Sequence, residues 1–108
     1  YNITTISDKI AITKGSAKTK YRKEDLAKVA DTLLFFNNIE TSFVIGKIGK
    51  DEIGVSARNL GSFDVLKILE KLGGGGHITL AGAQIIDTTI EEAINLLKNA
   101  INEYMVEN

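Results

Sequence analysis

Four consecutive glycines, Gly73, Gly74, Gly75 and Gly76, run directly into His77, the only histidine of the chain. A glycine run costs conformational entropy and contributes no packing, so it stands where bare backbone is needed. Stripped of side chains, successive N–H groups can converge on an anion, and phosphate suits that geometry. A helix cap at Gly73 followed by a turn is the plainer account, but it explains one or two glycines and not four. The run fits neither the Walker pattern, which needs Gly-Lys-Ser/Thr, nor the dinucleotide pattern, which follows a strand and opens a helix. His77, next to those amides, can donate a hydrogen bond to a phosphate oxygen.

Upstream, Gly54-Val55-Ser56-Ala57-Arg58 alternates in character. Side chains alternate along a strand, so Val55 and Ala57 are expected in the core and Gly54, Ser56 and Arg58 on the opposite face. There the guanidinium can grip phosphate in bidentate fashion or stack on a base; a surface salt bridge to Asp64 or Glu70 is the alternative. Asn59 is a weaker candidate. Tyr21, in a basic segment, is an aromatic ring free to stack on a base, whereas Phe35, Phe36, Phe43 and Phe63 fall on expected core faces.

Elements must position these groups. Ile10 and Ile12 mark a strand over residues 9–13, and residues 15–22 form a polar, basic loop. Leu26, Val29, Ala30, Leu33 and Phe36 recur at helical spacing over 23–37 until Asn37 and Asn38 stop the pattern. Segments 41–48 and 52–58, rich in β-branched and aromatic residues, flank Gly49-Lys50-Asp51 as a hairpin. A second helix over 63–72, capped by Ser62, carries Phe63, Leu66, Leu69 and Leu72 and ends at Gly73. For residues 77–86 a strand, or a turn leading into a strand over 82–86, fits; the second is preferred. Thr88-x-x-Glu91 and Thr89-x-x-Glu92 are overlapping capping boxes ahead of an amphipathic helix through Ile90, Ala93, Ile94, Leu97, Ile101 and Tyr104. The order β-α-β-β-α-β-α predicts an α/β domain of the α+β kind: a mixed sheet of four or five strands packed with about three helices.

At 108 residues, 44% apolar and 25% charged, the chain makes one globular domain over residues 1–108. The absence of cysteine removes disulfides, thiolate nucleophiles and Cys-based zinc sites, and it suits a reducing, cytoplasmic setting. One histidine excludes a His-rich metal cluster. No apolar stretch approaches the roughly 18 residues of a membrane span, so no direct membrane contact is expected. Lys9, Lys14, Lys18, Lys20, Arg22 and Lys23 face Asp8 alone in residues 1–23, and acids dominate residues 87–108. With a net charge of −1, a phosphate-facing edge near residues 14–23 or merely a solvated face follows. Tyr1 rather than Met opens the chain, which suggests a piece of a longer protein. No Ser-His-Asp set is identifiable, and the pairs Asp51-Glu52 and Glu91-Glu92 read as turn and capping residues rather than metal ligands. The chain reads as a binder, not a cleaver.

The string Gly54-Val55-Ser56-Ala57-Arg58, then Glu70-Lys71-Leu72 leading into Gly73-Gly74-Gly75-Gly76-His77, with Ala81-Gly82 after it, resembles the DHH-associated domain. That domain is the C-terminal partner of the metal-dependent DHH phosphoesterases. Ile10-Ala11-Ile12, Ala30-Asp31-Thr32-Leu33-Leu34, Ser42-Phe43-Val44-Ile45 and the helix over 89–107 fit the same pattern, and the cyclic-di-AMP phosphodiesterases are the subfamily it is most similar to. The resemblance implies a DHH domain of the same polypeptide, absent from this chain, whose aspartates and histidines bind manganese, with the associated domain closing over the nucleotide. It implies that Gly73, Gly74, Gly75, Gly76 and His77 form the substrate-phosphate loop, that Ser56 and Arg58 help hold phosphate or base, and that Thr79 fits while Leu80 departs from the usual small or polar residue. It further implies a cyclic dinucleotide or short oligonucleotide as ligand, no cofactor within this chain, and no hydrolase activity from it alone. An RNA-binding module and an oligomerisation domain, homodimeric through apolar helix faces, are the alternatives.

Overall fold

The structure, a computed structural model, describes residues 2–5, 9–36, 38–61 and 63–107. The described strands form one six-stranded sheet in the order β1-β2-β3-β4-β6-β5, continuously buried along β2 and most of β3 and alternating in exposure along β6. Its strands are β1 (Asn2–Thr5), β2 (Ile10–Lys14), β3 (Thr41–Gly49), β4 (Glu52–Asn59), β5 (Gly75–Gly76) and β6 (Leu80–Ile86). Among the described strands only β2 and β3 run parallel, and parallel neighbours need a crossover, which α1 (Lys23–Leu33) supplies. The remaining pairs are antiparallel. This is the expected mixed sheet with three helices, extended at its edges by the short strands β1 and β5.

Both faces of the sheet are covered. Helices α2 (Val65–Glu70) and α3 (Ile90–Glu107) contribute Val65, Ile68, Leu69, Ile94, Leu97 and Ile101 to the larger core, against Phe43, Ile45, Val55 and Ala57. On the other face Leu26, Ala30 and Leu33 of α1 pack on Val44. Val55 and Ala57 therefore sit in the core, as their alternation predicts.

Four boundary expectations need correction. Helix α1 ends at Leu33, after which the N–H groups of Leu34, Phe35 and Phe36 donate to the carbonyls of Asp31, Thr32 and Leu33 in tight turns. Phe35 and Phe36 are thus not core residues, being 88% and 52% exposed. The chain reverses at Asn38, with φ of +68°, a value that Asn tolerates well; Asn37, the other expected stop, lies outside the described residues. Ser62 also lies outside them, and Asp64 caps α2 instead, its carboxylate accepting from the Lys67 N–H at 3.1 Å. At α3, Thr89 Oγ1 accepts from the Glu92 N–H at 3.2 Å, while Glu91 pairs with Lys14 at 3.1 Å rather than completing a box with Thr88. Strand β6 starts at Leu80, two residues before the expected 82.

Asn59 is a structural residue rather than a ligand contact. Buried at the end of β4, it accepts from Thr41 Oγ1 at 3.0 Å and from the Phe63 N–H at 3.3 Å, and its amide donates to the Phe63 carbonyl. It ties the connection into α2 to the sheet. Asn59→Ala leaves these buried groups unpaired and is expected to cost about 1–3 kcal/mol; a urea midpoint equal to that of the parent chain would contradict this assignment.

Candidate functional site

The face of β4 that carries Gly54, Ser56 and Arg58 continues across β6 into β5 through the strand register. Gly54 lies opposite Gln84, Ser56 opposite Gly82 and Arg58 opposite Leu80, and Gly82 in turn lies opposite Gly75. Ser56, Gly82 and Gly75 consequently form one row across three strands. Helix α1 covers the neighbouring part of this face and leaves a cleft of about 360 Å³ beside it, near the lower end of the roughly 300–1,000 Å³ usual for small-molecule sites. Lys23 and Leu26 of α1 form one wall, Gly73, Gly74 and Gly75 another, with Gly54, Ser56, Gly82 and Gln84 as the floor.

The glycine run is held to β6 by contacts that exclude a side chain. Gly73 ends the α2 segment with φ of +81°, its N–H donating to the Glu70 carbonyl at 3.0 Å. A Cβ on Gly74 would lie 2.3 Å from the Gly82 carbonyl oxygen, and one on Gly76 would lie 2.4 Å from that of Leu80. Bare backbone here is first a packing requirement: the chain at Gly74 and Gly76 approaches β6 too closely for a side chain at either position.

His77 and Leu80 close the β5–β6 turn, the His77 N–H donating to the Leu80 carbonyl at 2.6 Å and the Leu80 N–H returning to His77 at 3.3 Å. Both His77 and Thr79 are exposed, and the Thr79 carbonyl accepts from the Asn59 N–H at 3.0 Å. This turn sits beside Arg58, one row along the strands from Ser56. Arg58 is largely buried: its side chain is 13% exposed, Nε donates to Asp31 Oδ1 at 2.7 Å, and Nη1 donates to the Ala57 carbonyl at 2.9 Å. Its partner is Asp31 on α1, neither Asp64 nor Glu70. Among the described residues the Arg58 Nη2 makes no hydrogen bond.

Of the sequence-predicted residues, Ser56, Gly73, Gly74 and Gly75 line the cleft together. Arg58, Gly76, His77 and Thr79 lie outside it, at its rim-side turn and the next strand row. The basic segment contributes less than its charge suggests. Lys14 pairs with Glu91, and Arg22 pairs with Asp25 at 3.2 Å; that hydrogen bond holds the Asp25 carboxyl below its ordinary value. Only Lys23 of this segment reaches the cleft. Tyr21 is not free to stack on a base: its hydroxyl accepts from the Ser16 N–H at 3.0 Å, and its half-buried ring packs on the α1 cluster. Leu26 and Gln84 are lining residues that sequence reasoning did not single out, whereas Lys23 belongs to the basic segment it named. Lys23 Nζ donates to Gln84 Oε1 at 2.8 Å, and the Gln84 amide donates to Glu52. Gln84 shares the strand parity of Gly82, which was the available signal.

Among the described residues no three His, Cys, Asp or Glu side chains gather as a metal site, and no helix is long and apolar enough to cross a membrane. The chain is 46% identical over 95 residues to a cyclic-di-AMP phosphodiesterase of Geobacillus thermodenitrificans, covering 88% of this chain and 14% of that protein. It is 42% identical over 97 residues to a cyclic-di-AMP phosphodiesterase of Listeria monocytogenes, covering 90% of this chain and 15% of that protein. It thus spans about one seventh of the length of these curated relatives. An exopolyphosphatase-related protein from Bacteroides fragilis shares the fold, with a TM-score of 0.79 at 23% identity over 95% of this chain and 32% of that one. The DHHA1 domain model matches residues 7–107. With its Ser-x-Arg strand and its glycine run laid against β6, the chain belongs to the DHHA1 domain family.

Proposed function

We propose that this chain is the nucleotide-holding part of a phosphodiesterase that hydrolyses cyclic dinucleotides, of the cyclic-di-AMP type, or short oligonucleotides. The observation that carries the reading is the glycine-lined cleft bordered, one strand row away, by the Arg58 guanidinium and the turn that bears His77. The two curated relatives, both cyclic-di-AMP phosphodiesterases, support the substrate class.

In this reading Arg58 and His77 hold the phosphate and Ser56 with the glycine loop seats the rest of the nucleotide. Asp31 anchors one edge of the Arg58 guanidinium, so its remaining donors are oriented before a ligand arrives; a charge-assisted, pre-positioned donor is worth more than a freely rotating one. Thr79 shares the His77 turn and is placed to add a hydroxyl contact. The manganese that the resemblance implies does not fit the described residues, whose His, Asp and Glu side chains nowhere gather in threes. Metal activation of water then belongs to a DHH domain of the same polypeptide, and this chain binds, orients and shields the substrate. A cytoplasmic setting suits both the substrate class and the lack of cysteine.

Two outcomes test this. His77→Ala, and Arg58→Lys, which keeps a charge for Asp31 but loses the planar fork, should each weaken binding of the linear di-adenylate by about 1–3 kcal/mol while the fold persists; unchanged affinity in both, read by calorimetry, removes the phosphate assignment. Supplied with manganese and cyclic-di-AMP, the 108-residue chain should form no linear product above the protein-free control in a chromatographic assay, and turnover would place a metal centre on this surface.

A further inference from the structure

Lys23 lines the cleft, yet neither its helix nor the sheet accounts for a cation there. It opens α1, the end of a helix at which the backbone dipole favours anions over cations. Among the described residues it makes no ion pair. Its Nζ donates to Gln84 Oε1 at 2.8 Å, and the Gln84 amide donates to Glu52, so the carboxamide is fixed at both ends with its oxygen held toward α1. An ammonium has three donors, which leaves two. Both Lys23 and Gln84 are exposed, and an exposed link between two flexible side chains adds little to stability. The two ends of the cleft also differ in character. One face of β4 carries Gly54, Ser56 and Arg58 in turn, and β6 sets Gln84, Gly82 and Leu80 opposite them. Lys23 thus reaches the Gly54–Gln84 row, which lies four residues from the Arg58–Leu80 row, about 13 Å at strand spacing. At the Arg58 end the surface turns apolar, with Leu80, Ile78 and Leu60 all exposed. That end gives a second phosphate little to hold it, whereas the glycine floor leads from Arg58 back to an ammonium.

We infer that Lys23 holds the second phosphate of a dinucleotide whose first phosphate lies at Arg58, with Gln84 as the residue that positions its ammonium. The two cations stand at opposite ends of one floor, and side chains long enough to reach inward narrow the gap between them. They discriminate by phosphate count: a mononucleotide satisfies Arg58 alone, and a dinucleotide engages both. Lys23 is suited to this because its charge is compact and its stem flexible, so it follows a phosphodiester without the fixed bidentate geometry that a guanidinium demands. This inference rests on the nucleotide reading above and adds to it a determinant of ligand length.

The test measures, by calorimetry at several salt concentrations, the affinity of the full chain for adenosine monophosphate and for the linear di-adenylate carrying a 5′-phosphate. Lys23→Gln should melt with the parent chain and bind the monophosphate as the parent does. It should bind the di-adenylate about tenfold more weakly, the effect of one lost charge-assisted hydrogen bond. For that ligand alone, the slope of log affinity against log salt should become shallower by roughly one, as one phosphate contact fewer requires. Lys23→Arg, which keeps the charge, should restore both affinity and slope. Equal loss for the two ligands, as a merely structural role would give, no loss for the di-adenylate, or a salt slope that does not change would each overturn the role of Lys23 while leaving the nucleotide reading standing. A parent chain that binds neither ligand at millimolar concentration overturns the nucleotide reading and this inference with it.

Discussion

Burial of Val55 and Ala57 against α2 and α3 fixes the direction of every other side chain on β4. Because the side-chain period of a strand is two, a slip of one residue would exchange the core face and the cleft face wholesale. The register with β3 and β6 prevents that slip, and it carries the same parity outward, so that Gly82, Gln84 and Gly75 share the face of Ser56. Helix α1 then decides which part of this face stays open. It covers the β3 side through Leu26, Ala30 and Leu33 and stops short of β6, leaving its own first turn as a wall of the cleft.

Within this frame the chemistry is divided by distance along the strands rather than by element. The cleft row is almost free of side chains, and the one charged group lining it among the described residues, Lys23, is engaged by Gln84. The neighbouring row holds the guanidinium and the imidazole-bearing turn. Arg58 is clasped from the helix side by Asp31, whose carboxylate is itself 59% exposed. Such an ion pair contributes little to stability on its own, and its effect is orientational: it fixes which edge of the guanidinium faces a ligand.

Much of this was legible in the sequence because it depends on local period. The alternation at residues 54–58 gives the facing of Ser56 and Arg58, and the length of the glycine run marks the loop. What was not legible depends on contacts distant in sequence or on where a period stops. Phe36 continues the helical spacing of Leu26 and Leu33, yet the helix has already unwound into turns, so an apolar pattern outlasts the structure that would have buried it. Asp31 is 27 residues from Arg58 in sequence and is no nearer in pattern than Asp64 or Glu70. Tyr21 looks free because its loop is basic, but Gly15 and Gly46 make room for its ring against the sheet. The glycines at 73–76 look equivalent as letters; close approach to β6 demands Gly74 and Gly76, a positive φ demands Gly73, and neither applies to Gly75.

The two-residue length of β5 has a bearing on solubility as well as on binding. A strand at the margin of a sheet exposes unpaired backbone groups that invite another chain to join, and proteins suppress this by keeping marginal strands short or interrupted. Here the margin consists of two glycines, ended on one side by the α2 segment and on the other by the His77 turn. A longer strand would give a firmer wall to the cleft, but it would also template edge-to-edge self-association at the mouth where a ligand must enter. The brevity of β5 keeps that entrance open without turning it into an adhesive border.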